Sequence, residues 1–322
     1  MANYVRQHQV FPSIFSIGIL FLLLAWHNNV YAAGSCTFSN PSTTLTTLPS
    51  PSIYNSSVQG QASAGMTCNL VEISLLSSST ITATVTSTTN SLNLLNTNGS
   101  GDVIPYMLFA DQNYAHAMPI GTTIDYGSLN LLSIVIGVGT KTIPLYVKTA
   151  PGANISAGTY TDTISIGWTY NICTISALVT CINSLTGSGT SLVTINLIVA
   201  KSCIINTANS VDLGTNSFVS QFNPVTKTIT LTCTKTEGYK TYFDNGTNYS
   251  SPWRQLRGSS GNYLQYQIYV PNTTTIWDNN NKQTGAGTGF TSNINFQVGL
   301  NSAQSEQVAG VYSDTVSFIV EY

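Results

Sequence analysis

Charged side chains are scarce in this sequence. They make up 7% of its 322 residues, with 10 Lys and Arg against 12 Asp and Glu, and the net charge is -2. Binding to nucleic acid needs a basic stripe, so this composition argues against nucleic acid as a partner. It also argues against recruitment to anionic lipid. Beyond the first thirty residues, no long segment has the apolar period of an amphipathic helix.

Residues suited to catalysis are also few. His116 is the only histidine beyond the first thirty residues, and one histidine without cysteine or carboxylate partners cannot hold zinc. No Gly-x-Ser-x-Gly elbow occurs with a matching acid and base. The glycine-rich segment 285–289 lacks the lysine and the following helix of a phosphate-binding loop. We therefore predict a protein that is not an enzyme and that uses no cofactor or metal.

The abundant residues suit strands and turns. Ser, Thr, Asn, Gly, Val and Ile dominate, and there are 17 Tyr. These residues favour extended backbone and tight turns over helices. The sequence therefore predicts an all-β protein, and its length leaves room for two ordinary domains.

The first 32 residues are typical of a signal peptide. Arg6 and His8 give a weakly basic start, residues 14–25 are apolar, and Val30 and Ala32 are small residues before a cleavage point that we place after Ala32. The apolar run is short for a membrane span, which needs about 20 residues, although an N-terminal anchor is the alternative. We expect an exported protein.

An internal repeat organises the exported part. Residues 157–166 and 309–318 are identical at six of ten positions, and Cys36 and Cys68 are spaced much like Cys203 and Cys233. Six cysteines alone would allow about 15 pairings. The repeat predicts the disulfides Cys36–Cys68 and Cys203–Cys233, which leaves Cys173 and Cys181 to pair locally.

Short strands with turn signals between them fill the second repeat. We predict strands at 203–213, 226–234, 239–243, 263–270, 293–300 and 311–322. Six such strands indicate an immunoglobulin-like Greek-key sandwich. Alternate residues of the last strand should share one core-facing side, namely Tyr312, Val316, Phe318, Val320 and Tyr322.

The two repeats differ after this strand. In the first repeat, the matching strand 159–170 is followed by a hairpin over 171–190 and by a further strand, 191–200, whereas the sequence has no counterpart after Tyr322. We expect the second sandwich to lack its last strand and to offer a groove, lined by the five residues just named, to a strand from another chain. The alternative is that the second sandwich is complete with six strands.

The start of the exported chain supports the same expectation. Only Ala33, Gly34 and Ser35 precede Cys36, whereas a donated strand needs on the order of 10 residues. We expect a subunit that accepts a strand, donates none, and sits at the end of a fibre.

Several residues of the second repeat together resemble the spore coat protein U domain. They are Cys203, Gly214, Cys233, residues 265–269, Trp277, residues 285–289, Gln304 and residues 310–316. The resemblance covers essentially all of 202–322, and the first repeat matches more loosely, chiefly at its cysteines and at 157–170. The family includes subunits of archaic chaperone–usher pili, and a two-domain member with a signal peptide looks like the tip adhesin of a Csu-type pilus.

The resemblance implies a function and a set of partners. It implies an N-terminal adhesin domain over 33–201 and a C-terminal pilin domain over 202–322. The implied partners are a periplasmic chaperone, an outer-membrane usher, a next subunit that donates its N-terminal strand, and an abiotic or host surface. The implied location is the pilus tip on the cell surface.

Three apolar loops of the first domain are candidates for surface contact. The residues are Ile175, Ala177, Leu178 and Val179 in the disulfide-closed loop, then Leu129, Leu131, Leu132, Ile134, Val135 and Ile136, and finally Tyr114, Met118 and Ile120. For each loop, the alternative is that these side chains fold back into the core.

Hydrophobic contact is the mechanism that we expect for these loops. Side chains worth about 1.5–3 kcal/mol each when fully buried would press against an apolar surface, and many pili would supply avidity in attachment and biofilm formation. The alternatives are a structural coat or shaft subunit without a ligand, and a carbohydrate-binding tip that stacks sugars on Tyr263, Trp277 or Tyr312, which we expect to be core residues.

Overall fold

The computed structural model describes residues 34–70, 79–129, 131, 139–177, 180–208 and 210–322, without the side chains of 174–177, 180 and 182. The predicted signal peptide, residues 1–32, lies outside this range. Nearly all of the regular structure is strand, which confirms the predicted fold class.

The N-terminal sandwich is one long sheet that curls around its core. Its elements are β1 (Ser35–Phe38), β2 (Ser42–Pro49), α1 (Ser50–Asn55), β3 (Gln59–Leu70), β4 (Thr80–Thr88), β5 (Asn93–Asn96), β6 (Val103–Phe109), β7 (Thr123–Asp125), β8 (Gly139–Thr149), β9 (Gly158–Ala177) and β10 (Thr180–Ala200). The strand order is β1-β3-β8-β6-β5-β9-β10-β2, and β4 pairs with β9 and β7.

The long hairpin of β9 and β10 supplies much of this core. Side chains alternate across a strand, so one face of β9 buries Tyr160, Ile164, Ile166 and Trp168, each at most 1% exposed. The antiparallel strand β10 buries its own alternate residues, which are Val193, Ile195, Leu197 and Val199.

The C-terminal sandwich has two separate sheets. Its elements are β11 (Cys203–Thr207), a 3₁₀ turn (Val219–Gln221), β12 (Val225–Cys233), β13 (Gly238–Phe243), β14 (Arg254–Gly258), β15 (Tyr263–Tyr269), β16 (Gln283–Ala286), β17 (Thr291–Leu300), β18 (Tyr312–Ser313) and β19 (Phe318–Glu321). One sheet has the order β11-β12-β17-β15-β14-β18, and the other has the order β16-β13-β19.

Aromatic side chains dominate the centre of the C-terminal core. The Phe243 ring lies 5.5 Å from Trp277, 5.0 Å from Phe296 and 5.1 Å from Phe318, measured between ring centroids. The indole N–H of Trp277 donates to the carbonyl of Thr241 at 2.8 Å. These contacts join the two sheets, because Phe296 lies in one of them and Phe243 and Phe318 lie in the other.

The structure corrects part of the strand prediction. The first strand was expected over 203–213 but ends at Thr207, and β14 and β16 were missed because they are short and largely polar. A continuous last strand over 311–322 is wrong: β18 and β19 are separated by residues 314–317, which form no strand.

All three disulfides are those that the repeat predicted. Cys36 pairs with Cys68 across β1 and β3, and Cys203 pairs with Cys233 across β11 and β12. Cys173 and Cys181 join the far ends of β9 and β10. The first two disulfides occupy equivalent places in the two sandwiches, since each ties a first strand to its neighbour.

The chain passes quickly from one sandwich to the other. β10 ends at Ala200 and β11 begins at Cys203. Among the described residues, each named strand pairs only with strands of its own sandwich. The domain boundary between residues 201 and 202 stays a prediction. In the described part of the chain, no helix is long and apolar enough to cross a bilayer.

Candidate functional site: the open edge of the C-terminal sandwich

Two strands that match in the repeat have different neighbours. β9 pairs with β4 and β5 along one edge and with β10 along the other. β19 pairs antiparallel with β13, in a register that sets Phe318 opposite Phe243 and Glu321 opposite Lys240. Among residues 210–322, no further strand pairs with β19. We call this unpaired side of β19, with its apolar residues, the open edge.

The open edge leaves apolar side chains half-buried. Val316, Phe318 and Val320 occupy the repeat positions of Ile164, Ile166 and Trp168, which are at most 1% exposed, whereas all three are only partly buried. Tyr312 is also partly buried and Tyr322 is 56% exposed, so Tyr322 is not the core residue that the alternation predicted, while the groove assignment of both residues stays a prediction. The repeat therefore encodes the same apolar pattern twice, and only one copy is fully covered.

The strand β11 borders the same region from the other sheet. It pairs with β12, and its residues Ile204 and Ile205 are 44% and 41% exposed. A small cluster of Leu231, Cys233 and Tyr239 lies behind both strands, because Cys203 of β11 and Val320 of β19 pack against it. The open edge is thus flanked by a second strand with exposed apolar residues.

Two aspartates form side-chain hydrogen bonds in and around the segment between β18 and β19. The carboxylate of Asp244 accepts the backbone N–H of Ser317 at 2.9 Å and that of Gly246 at 3.0 Å. Burial tends to raise the pKa of Asp244, but these hydrogen bonds outweigh burial and keep the pKa below its ordinary value. Asp314 accepts the backbone N–H of Thr247 at 3.1 Å. These side-chain bonds accompany backbone bonds from Asp244 to Ser317 and from Thr247 to Thr315, so the segment between β18 and β19 stays attached to residues 244–247 without forming a strand.

A tyrosine–aspartate pair occupies the same place in both sandwiches. The hydroxyl of Tyr106 donates to Asp162 at 2.9 Å, and that of Tyr266 donates to Asp314 at 2.7 Å. In both pairs burial and the neighbouring carboxylate raise the pKa of the tyrosine. Asp162 and Asp314 are equivalent in the repeat, and the structure gives both the same hydrogen-bonding role.

The largest polar feature near the open edge was missed by sequence analysis. Arg254 is 1% exposed, and its guanidinium donates to the carbonyls of Phe243, Asp244 and Trp277 at 2.8–3.2 Å and to the side chain of Gln267 at 2.9 Å. These bonds tie β14, β13 and β15 together behind the open edge. A lone arginine in a short polar strand carries no periodic signal that could have identified it.

The disulfide-closed loop remains a candidate. The bond between Cys173 and Cys181 is present. Leu178 and Val179 lie outside the described residues, and the side chains of Ile175 and Ala177 are not described either. The prediction that this loop contacts a surface therefore stays a prediction.

The structure corrects the loop prediction over 129–136. Leu131 is 8% exposed and belongs to the N-terminal core, and Leu129 packs against that core. These two residues were expected on the surface, but they pack with the N-terminal core instead. Leu132, Ile134, Val135 and Ile136 lie outside the described residues.

The loop over 114–120 divides between core and surface. Met118 is fully buried, so its predicted surface contact is wrong, whereas Ile120 is 44% exposed. Tyr114 is half-buried, and its ring packs edge-on against Phe109 and Tyr146 at 5.3 and 6.2 Å. Of the three residues proposed for this loop, Ile120 is the one that the structure leaves open to solvent.

Exposed apolar residues on neighbouring strands were also missed. Met107 is 53% exposed, Val103 39% and Leu95 36%. Val103 and Leu95 are direct partners across β5 and β6, and Met107 lies on the same face as Val103 by the period of two. A signal existed in the sequence, because β6 is apolar at odd as well as even positions, so that packing one face on the core leaves the other apolar face outside.

Two related sandwiches, one closed by its own final strand and one open at the matching place, define a tandem β-sandwich protein. The chain belongs to the Spore Coat Protein U domain family, whose model matches residues 25–167 and 189–318. This is a family of structural, non-enzymatic proteins. A comparison with curated proteins gives no match.

One solved structure supports the fold. The chain is similar to one in the CsuC–CsuE chaperone–tip adhesion subunit pre-assembly complex of archaic Csu pili from Acinetobacter baumannii, with 19% identity and a TM-score of 0.64 over 89% of this chain and 100% of that one. It also matches the CooA pilin subunit of enterotoxigenic Escherichia coli, with 15% identity and a TM-score of 0.30 over 52% of this chain and 99% of that one.

Proposed function

We propose that this protein is the tip subunit of a surface pilus, completed by a strand from another subunit and used for attachment. The observation that carries the proposal is the open edge of β19 beside its closed counterpart β9. A periplasmic chaperone would occupy the open edge first, and the next subunit would replace it at the outer-membrane usher. The similarity to a structure named as a chaperone–tip adhesion complex supports both the partner and the position.

An unpaired inner edge is costly for two reasons. Backbone N–H and C=O groups of Phe318–Glu321 that face away from β13 need partners, and the half-buried side chains beside them expose apolar surface. Strand addition satisfies both needs at once. In the N-terminal sandwich, β10 meets these needs by pairing with β9 and burying four alternate apolar residues.

The strand β10 is therefore a template for the kind of segment that the open edge should accept. Residues 191–200 read Ser-Leu-Val-Thr-Ile-Asn-Leu-Ile-Val-Ala, with the buried residues at every second position. Its pairing with β9 is antiparallel. We expect the donor to be an extended segment with the same alternation, lying antiparallel to β19.

A fusion tests strand addition with the protein's own sequence. Residues 191–200 are copied after Tyr322 through a flexible linker, and the whole exported chain is produced in a bacterial periplasm without a chaperone. We expect the unmodified chain to be degraded or to aggregate, and the fusion to be soluble and protease-resistant. Co-production with its chaperone should rescue the unmodified chain in the same way.

The matched control keeps the length of the appended segment but removes its alternating apolar side chains. In the appended copy alone, the residues equivalent to Val193, Ile195, Leu197 and Val199 become serine. This copy should not rescue the chain. Equal yield and equal protease resistance for the unmodified chain, the fusion and the control would rule out an open edge that needs a partner.

Attachment is tested separately from assembly. Leu178→Ser with Val179→Ser tests the disulfide-closed loop, and Val103→Ser with Met107→Ser tests the exposed face of β6. A pair that carries adhesion should abolish binding to plastic at high salt and in the presence of free sugars, while pilus assembly stays normal. If both pairs bind plastic as well as the unmodified protein does, hydrophobic attachment through these residues is wrong.

The carbohydrate alternative has little support at the aromatic residues first considered for it. Trp277 is 3% exposed and its indole N–H is already bonded to Thr241. Tyr312 is half-buried and its hydroxyl donates to the carbonyl of Val308 at 2.6 Å. Tyr263, at 40% exposed, is the one of the three that is open to solvent.

A further inference from the structure

The two sandwiches meet through a shielded ion pair. Asp102 precedes β6 in the N-terminal sandwich, and Lys235 lies between β12 and β13 in the C-terminal one. The ammonium of Lys235 lies 2.5 Å from the Asp102 carboxylate, whose side chain is 9% exposed. Ion pairs in open solvent contribute little, but this carboxylate is withdrawn from water.

Ser156, just before β9, also binds the Asp102 carboxylate. Its backbone N–H and its hydroxyl donate to the second oxygen of Asp102 at 2.8 and 2.7 Å, and its backbone forms a parallel bridge with Lys235. Burial tends to raise the pKa of Asp102, but the bonds from Lys235 and Ser156 outweigh burial, so the pKa lies below its ordinary value and the carboxylate stays ionised. Every oxygen of the buried carboxylate therefore has a partner.

Neighbouring contacts fix the angle of the joint. The side-chain amide of Asn154 donates to the carbonyl of Thr288 at 3.0 Å. Tyr54 and Phe290 meet edge to face, with ring centroids 5.7 Å apart. Gly289 has a φ of +77° and lies so close to Asn154 that a β-carbon would collide with its side-chain oxygen. The contacts on this side depend on glycine at position 289.

The connecting segment is short and is itself held in place. The backbone N–H of Ser202 donates to the hydroxyl of Thr234 at 3.0 Å, and the backbone N–H of Thr234 donates to the carbonyl of Ser202 at 2.8 Å. Lys201 pairs with Glu237 at 2.7 Å, but the lysine side chain is 60% exposed. The Glu237 side chain of this second pair is 16% exposed.

We propose that Asp102, Lys235 and Ser156 form an interdomain lock that holds the two sandwiches as one rigid body. The lock goes beyond the proposed function, because it acts within one chain and does not require a pilus. In a fibre it would carry a pull on the C-terminal sandwich to the N-terminal one without letting the joint bend. Three hydrogen-bonded contacts on one ionised carboxylate make the lock selective for this orientation.

Trypsin cleavage after Lys201 measures how often the joint between the two sandwiches opens. The sample is the whole exported chain, kept soluble in complex with its chaperone. No disulfide links the two sides of Lys201, so a cut releases two fragments that mass spectrometry identifies. We expect Asp102→Asn and Lys235→Met to speed this cut by at least about tenfold, the effect of losing one charged hydrogen bond. Lys235→Arg keeps the ion pair and should stay close to the unmodified rate.

Glu321→Gln is the matched control, because it breaks the surface pair Lys282–Glu321, whose carboxylate is 44% exposed, and leaves both the lock and the Lys201–Glu237 contact intact. It should change the rate by less than about twofold. The lock is wrong if Asp102→Asn and Lys235→Met are cut after Lys201 no faster than the unmodified chain. It is also wrong if Asp102→Asn speeds cleavage after Lys141 and Lys148 equally, because the substitution would then unfold the N-terminal sandwich instead of opening the joint.

Discussion

The N-terminal and C-terminal sandwiches differ most at the two strands whose sequences match, β9 and β19. β9 and β19 descend from one repeat, yet Ile166 is fully buried while Phe318, its counterpart, is half-buried. The apolar alternation is the same in both strands. The difference comes from β10, which covers β9 and has no counterpart beside β19 among residues 210–322.

This contrast separates two properties that are often treated as one. A pattern of alternating apolar residues states which face a strand should bury, but a neighbouring strand decides whether that face is buried. In the N-terminal sandwich the neighbour follows in the same chain. In the C-terminal sandwich the same face is prepared for a neighbour, and under the proposed function another subunit supplies it.

The largest expected effect lies in the C-terminal sandwich alone. Arg254→Ala would leave the carbonyls of Phe243, Asp244 and Trp277 without these donors. At about 1–3 kcal/mol for each buried polar group left unsatisfied, we expect a cost of about 3–5 kcal/mol in the free energy of unfolding. Hydrogen exchange of the strand-fused protein measures each sandwich separately. Protection should fall in residues 202–322 and persist in the N-terminal sandwich. Arg254→Lys, which cannot form the same fork of hydrogen bonds, should recover little. Unchanged protection would show that the buried guanidinium is dispensable.

Alanine substitutions at the equivalent residues Ile166 and Phe318 compare the closed and the open sandwich directly. Ile166→Ala should cost about 2–5 kcal/mol in the N-terminal sandwich, whether or not a strand is fused. Phe318→Ala should cost only about 1–1.5 kcal/mol in the open protein, because half its surface is already wet, and about 3–5 kcal/mol once the fused strand covers it. Denaturant unfolding of the four variants and their two parents provides the test, with the open forms refolded from denaturant at low concentration. An equal cost for Phe318→Ala in the open and the strand-fused protein would show that the added strand does not cover Phe318.

The tyrosine–aspartate pairs test whether equivalent contacts have equal strength. Tyr106→Phe and Tyr266→Phe each remove one hydroxyl that donates to a carboxylate, an interaction worth about 1.5–3 kcal/mol. We expect the larger loss for Tyr106→Phe, because Asp162 is 1% exposed while Asp314 is only partly buried. Melting of the strand-fused protein measures both. A larger loss for Tyr266→Phe would mean that burial of the acceptor does not set the strength of the pair.

The smallest effect is a pH dependence in the C-terminal sandwich. The folded pKa of Asp244 lies below its ordinary value, so its stabilisation is complete above the unfolded pKa of about 3.9 and is lost as the pH falls through the folded pKa. Asp244→Asn should therefore weaken the fall in melting temperature of this sandwich below about pH 4. The N-terminal sandwich is the internal reference and should keep its own acid dependence, to which Asp111 contributes with a pKa shifted in the same direction. Identical acid profiles with and without Asp244 would contradict this.

Sequence analysis predicted what local patterns encode. The all-β fold, the three disulfides and the unequal ends of the two repeats follow from residue type, spacing and self-comparison. The strands β12, β13, β15 and β17 lie close to their predicted bounds, because each is apolar on one face. These features need no knowledge of distant contacts.

Contacts between distant segments could not be predicted. Met118 reads as part of a surface loop, yet it is buried because its backbone N–H bonds to the carbonyl of Leu108 and draws the loop over the core. Residues 314–317 continue an apolar alternation, but Asp244, some seventy residues earlier, takes the hydrogen bond of Ser317. Arg254 and the Asp102–Lys235 pair are visible only once the chain has folded.

The covalent tie between Cys203 and Cys233 limits which strand of the C-terminal sandwich can be exchanged. A first strand held by hydrogen bonds alone could peel away and let an identical copy from another molecule take its place. Because β11 is bonded to its neighbour through sulfur, such a swap at that end requires a reductant. Under the proposed function, subunits would be added in an oxidising space without exchange of their own first strands.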